Sequence, residues 1–77
     1  SIITPMDGMV VHEPRLTVNG RAENVAWISL NDRQIFTSEE GFWSEKLILA
    51  EGESIITVRV RDRFGREKTK SVHVVLN

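Results

Sequence analysis

Apolar and polar residues alternate with a period of two along almost the whole chain. In RLTVNG (15–20) Leu16 and Val18 alternate with Thr17 and Asn19, and in SIITVRVRD (54–62) Ile56, Val58 and Val60 alternate with Thr57, Arg59 and Arg61. SVHVVLN (71–77) continues the pattern, with Val72, Val74 and Leu76 on one side and His73 on the other. Such alternation marks half-buried strands, because successive side chains leave a pleated backbone on opposite faces. No stretch carries the i, i+3, i+4, i+7 spacing of an amphipathic helix.

Turn-forming residues punctuate this pattern at short intervals. PMDG (5–8) and EPR (13–15) break the first part of the chain, Asn31-Asp32 has the length of a two-residue hairpin, and SEEG (38–41), AEGE (50–53) and DRFG (62–65) supply three further reversals. Gly41, Gly52 and Gly65 close their loops where a positive φ is needed, and Gly65 fits a type I turn ending in a left-handed residue. The intervening segments predict about seven strands, over 9–12, 15–22, 25–31, 33–37, 42–49, 54–62 and 66–76, with Ile2 and Ile3 as an extra edge piece. Short strands with hairpin-like connections predict an all-β fold, an antiparallel β-sandwich, since two amphipathic sheets bury their apolar faces against each other and a single sheet has nothing to cover it. With no internal repeat, linker or low-complexity segment, residues 1–77 read as a single domain.

Length limits what such a domain can hold. A chain this short buries only about 60% of the surface its unfolded form exposes. About fifteen large apolar side chains fall on inward positions, each worth roughly 1.5–3 kcal/mol before conformational entropy is set against them. A core that thin leaves no room for a large substrate cavity. The absence of cysteine removes both a disulfide framework and a thiolate metal site. No apolar run reaches the length of a membrane span and no signal peptide is visible, so no membrane insertion by this segment is expected. The chain starts with Ser rather than Met and reads as a piece of a longer protein, with any anchor or export signal outside it.

Ten Lys and Arg against eleven Asp and Glu give a net charge of −1, unlike the basic balance of a dedicated nucleic-acid binder, and no nucleic-acid partner is expected. The charges are nevertheless segregated along the chain. Between 59 and 70, six cations (Arg59, Arg61, Arg63, Arg66, Lys68 and Lys70) face only Asp62 and Glu67, a local balance of +4. Between 39 and 53, Glu39, Glu40, Glu45, Glu51 and Glu53 face only Lys46, a local balance of −4. A basic hairpin of this kind has two readings. It touches an anionic wall polymer, lipid, nucleic acid or the acidic part of a second copy, or it serves solubility and cross-strand neutralisation. The second is favoured, because Arg59 and Arg61 alternate with core residues and must point outward whatever the function.

Catalytic chemistry finds no constellation. His12 and His73 are the only histidines, and no HExxH, GxSxG or phosphate-loop pattern is present, so neither an enzyme nor a cofactor site is expected. Asp7, Asp32 and Asp62 stand singly beside turns, which suits capping better than the six to eight oxygen ligands that calcium needs, so no metal site is expected either.

The sequence phrases together resemble a known family. PMDGMVV, LTVNGRA, VAWISLND, EGFW and LILAEGESIITVRVRDRFGREKTKSVHV, in that order and covering nearly the whole chain, are similar to the bacterial immunoglobulin-like modules related to the glucodextranase B-like domain. The resemblance implies an immunoglobulin-like antiparallel β-sandwich that acts as a noncatalytic spacer or accessory module in secreted, wall-attached or membrane-anchored bacterial proteins, hence an extracytoplasmic location. Its implied partners are neighbouring domains or another envelope protein. Three positions depart from the pattern: Asn31-Asp32 replaces the usual Asn-Gly, Trp43 the usual Phe, and Ser54 the usual Asn.

In the family register Ala26, Ile28 and Leu30 face the core while Trp27 and Ser29 face outward, and Trp43 begins an inward series with Leu47 and Leu49. Trp27 then lies on a central strand beside the strand of Ile55, Thr57 and Arg59, close to His73. Trp27, Ser29, Ile55, Thr57, Arg59 and His73 form the candidate binding face, aromatic and cationic as interfaces and sugar platforms are. Arg61, Arg63, Arg66, Lys68 and Lys70 form the candidate basic hairpin. Either the Trp27 face is a contact surface, or the indole merely covers the sheet under the arm of Arg59. The leading expectation is a structural or interaction module. The alternatives are a carbohydrate-binding module that stacks cell-wall glycan on Trp27, with Arg59 and Ser29 as polar partners, and the extracytoplasmic domain of a membrane-anchored cell-shape or sensor protein.

Overall fold

The computed structural model describes residues 2–4 and 6–77, with side chains from Met6 onward. Its eight strands are β1 (Ile2–Thr4), β2 (Met9–Val11), β3 (Arg15–Arg21), β4 (Val25–Leu30), β5 (Arg33–Ile35), β6 (Phe42–Ile48), β7 (Gly52–Asp62) and β8 (Glu67–Leu76). These are the seven expected strands plus the edge piece at Ile2. They form two sheets, one in the order β1-β3-β6 and the other β2-β8-β7-β4-β5, and the sandwich between them is the predicted one. Of the PMDG turn, Pro5 lies outside the described residues.

The alternation reads directly into the core. Val18 from β3 and Trp43 from β6, with Leu49 just beyond it, meet Ile28 and Leu30 of β4, Ile35 of β5, Ile56 and Val58 of β7, and Val72 and Val74 of β8. The β4–β5 reversal holds both Asn31 and Asp32 at positive φ, 49° and 66°, the backbone of a type I′ turn. Asn31 also clamps this turn to β7, its amide donating to the Thr57 carbonyl at 2.9 Å and its Oδ1 accepting from the Thr57 amide at 2.8 Å. That second bond compensates an Asp at a position better suited to Gly.

Connections gather at two ends. At the upper end meet residues 22–24, 36–41 and 63–66; at the lower end lie residues 12–14 and 49–51 and the final residue, Asn77. The Ala22 amide donates to the Gly41 carbonyl at 2.8 Å, which ties two of the upper loops together. Gly41 is obligatory there: its φ is +89°, and a Cβ would stand 2.6 Å from the Ala22 carbonyl oxygen.

Two expectations are corrected. The sandwich is not wholly antiparallel, because β2 runs parallel to β8, with Met9 opposite Val74 and Val11 opposite Leu76. The chain crosses from the small sheet to the large one between β1 and β2, and a strand that changes sheets this way joins its new neighbour in the same direction. Ala26 does not face the core; it is exposed. Val25 pairs with Asp62 and Trp27 with Arg61, so Ala26 is the extra residue of a β-bulge and falls out of the alternation that holds from Trp27 onward.

Candidate functional site

From Trp27 to Leu30 the pleat works as expected. Ile28 and Leu30 are buried in the core and Trp27 is half-buried on the outer face of the five-stranded sheet. The register of β4, β7 and β8 arranges that face in rows. Trp27 stands opposite Arg61, which stands opposite Glu67; Ser29 stands opposite Arg59, which stands opposite Thr69; Thr57 faces Ser71; Ile55 faces His73. Gln34 of β5 flanks Ser29 on its other side.

The cation on Trp27 is therefore Arg61, not Arg59. The Arg61 guanidinium carbon lies 5.3 Å from the indole centroid, while Nη2 and Nε reach Glu67 Oε1 at 2.6 and 3.1 Å. Arg59 turns instead to Asp32, at 3.5 Å. Ser29 is corrected as well: it belongs to the outer face by alternation, yet it is only 1% exposed. A short side chain between Gln34 and Arg59 on a central strand is roofed over, and its hydroxyl has no hydrogen-bond partner among the described residues. It is not available to a ligand.

The remaining candidates are held by neighbours on the sheet. Thr57 Oγ1 and Ser71 Oγ lie 3.1 Å apart. The His73 amide donates to Asp7 Oδ1 at 2.7 Å, His73 Nδ1 lies 3.2 Å from the same oxygen, and the Gly8 amide donates to the His73 carbonyl at 2.8 Å. Asp7 thus latches the loop after β1 to β8, and the hydrogen bond from the His73 amide, with the ring behind it, holds its carboxyl below the usual carboxylate range. By its place beside a turn Asp7 reads as a cap of that turn, and no local signal marks a partner so distant along the chain. Ile55 is exposed beside His73, and Val10 is exposed on the neighbouring β2.

The basic hairpin divides into bound and unbound cations. Arg61 is committed to Glu67 and Arg66 to Asp62, the latter at 2.7 Å. Asp62 is the clamp of the turn: Oδ1 accepts the Arg66 amide at 3.0 Å and the Phe64 amide at 2.8 Å, and its backbone bonds to Gly65 and Arg66. The Arg66 amide contributes most to holding its carboxyl below the ordinary range. Arg63, Lys68 and Lys70 make no ion pair among the described residues.

The acidic stretch does not form an opposite pole. Glu39 and Glu40 lie in the loop before β6, at the same end as the basic turn, whereas Glu51 and Glu53 lie at the far end. Blocks of charge along an antiparallel chain are folded back on each other, so a sequence-local imbalance is not a spatial one.

Chemically, the outer face offers one half-covered indole, a string of closed polar pairs and a few exposed aliphatic groups. No three His, Asp or Glu side chains cluster to hold a metal among the described residues. No curated protein resembles the chain closely enough to count as a match. A family model described as glucodextranase, domain B, matches residues 1–77, the full sequence, in agreement with the all-β sandwich. The chain belongs to the glucodextranase domain B family, and is in that sense a noncatalytic domain of a larger protein.

Proposed function

We propose that the domain is a spacer or accessory module of a bacterial secreted, wall-attached or membrane-anchored protein, holding its neighbours apart in an extracytoplasmic setting. The observation that carries this reading is the path of the chain. Ile2 pairs with Gly20 at the upper end of β3, while the Asn77 amide bonds to the Val11 carbonyl at the lower end. The backbone thus enters at one end and leaves at the other of a body 40 Å long and 20 × 18 Å across. Neighbours attached at the two ends are separated by the long axis of the sandwich, and the ladders between the ends make that separation rigid. Family membership supports the accessory role.

The carbohydrate-binding reading is weaker on the same geometry. A sugar stacked on Trp27 has to displace Arg61 from both the indole and Glu67, and the hydroxyl of Ser29 is out of reach. Sugar sites need several polar groups converging around an open ring, and here they have closed on each other.

The test is replacement of residues 1–77 in the parent protein. An unrelated β-sandwich of the same end-to-end length should preserve function, and a flexible Gly/Ser linker of equal residue number should not, because its mean span is set by coil statistics and fluctuates. Loss of function with the unrelated sandwich would show that a specific surface, rather than the spacing, is what the parent uses.

A further inference from the structure

We propose that the turn joining β7 and β8 is a docking tip for membrane surfaces rich in anionic phospholipid, with Phe64 entering the interfacial layer and Arg63, Lys68 and Lys70 addressing lipid phosphates. The tip is rigid. Asp62 closes it with four side-chain and backbone contacts to Phe64 and Arg66, and the Gly65 amide donates to the Asp62 carbonyl at 3.1 Å with Gly65 at φ +85°. On this built turn Phe64 is 78% exposed, and its ring contact is the Arg66 guanidinium, 5.6 Å from the centroid. A large apolar ring held in solvent by a preorganised loop gains nothing for the fold and is available to a partner.

Charge selects the partner. Of the acids at this end, Asp62 is engaged by Arg66 and the turn amides, Glu67 by Arg61, and Glu23 by Arg21 at 2.6 Å, while Glu39 and Glu40 lie on the separate loop before β6. Arg63 stands next to Phe64 on the turn, and Lys68 and Lys70 follow along β8 opposite Val60 and Val58; all three are exposed and make no ion pair among the described residues. Cations that reach phosphate beside a ring that enters the headgroup layer are the combination an anionic lipid surface rewards. Single-stranded nucleic acid fits less well, since it calls for a series of stacking platforms, and a chain of net charge −1 does not steer a long polyanion. The contact is interfacial, and no helix here is long and apolar enough to cross a membrane. It is independent of the spacer reading: a module can hold domains apart whether or not its tip meets lipid, so each can fail alone.

Vesicle binding of the 77-residue chain tests this. Vesicles containing phosphatidylglycerol should bind it and phosphatidylcholine vesicles should not, with binding falling as salt rises. At about fivefold per cation, Arg63→Gln, Lys68→Gln and Lys70→Gln together should weaken binding about a hundredfold. Phe64→Ser should weaken it with all charges intact, and Phe64→Trp should add an emission that shifts to the blue only with the anionic vesicles. All these positions are exposed, and circular dichroism should show every variant folded like the parent chain. Equal binding to both vesicle types, or an unshifted Phe64→Trp emission, would overturn the proposal. So would binding to soluble polyphosphate as tight as to vesicles and indifferent to Phe64→Ser, which would mark a simple polyanion site.

Discussion

The two tryptophans show how far one step along a pleat separates roles. Trp43 is 4% exposed, opposite Gly20 on β3, and fills the upper core where neighbouring residues are small or aliphatic. Its Nε1 is buried without a hydrogen-bond partner among the described residues, so the volume it fills comes at a polar cost of roughly 1–3 kcal/mol. Trp27 spreads over the outer face and trades contact with one arginine. Trp43→Ala should therefore lose about 3–5 kcal/mol of unfolding free energy in denaturant titrations, and Trp27→Ala about 1 kcal/mol or less. A reversal of the two values would mean that β4 and β6 present the opposite faces to the core. Trp43→Phe removes the unpaired N–H with part of the ring and should fall well short of the alanine cost.

At the scale of elements, the strand pattern was legible because period two and turn residues are local. What escaped was non-local. A two-residue slip between β4 and β7 keeps every side chain on its face and changes only its neighbour, so alternation alone points Trp27 outward but does not decide between Arg59 and Arg61 as its cation. The bulge at Ala26 and the burial of Ser29 between Gln34 and Arg59 likewise depend on strands distant in sequence. The open edge of β6 carries a further consequence. This seven-residue strand pairs with β3 alone and shows exposed Phe42 and Ile48, an invitation to edge-to-edge association. Glu45, at the centre of the strand and opposite Val18, points to the inner side. In an antiparallel self-pair centred there, two Glu45 carboxylates meet directly, and like charges opposite each other repel. Glu45→Val should produce dimers or higher species in sedimentation at concentrations where the parent chain is monomeric. A variant as monomeric as its parent would show that something other than Glu45 guards this edge.

For the whole molecule, two carboxylates join parts that the sheets alone leave loose. Asp7 fastens the β1–β2 crossover to β8 through His73, and Asp62 fastens the upper turn through Phe64 and Arg66. Both carboxyls titrate below their ordinary value of 3.8 in the folded protein. A folded pKa below the unfolded one means that the unfolded chain binds protons more readily in that range, so the stabilisation is complete above about pH 4 and is lost as pH falls through the folded values. The thermal midpoint should accordingly be level between neutral pH and about pH 5 and should drop on further acidification. Asp7→Asn and Asp62→Asn keep an acceptor oxygen but no charge. Each should melt below the parent chain at neutral pH, and the difference should shrink as acid removes the same charge from the parent. A gap that stays constant down to about pH 3 would mean that these carboxylates act by shape alone, and that the crossover and the tip are held by their backbone bonds.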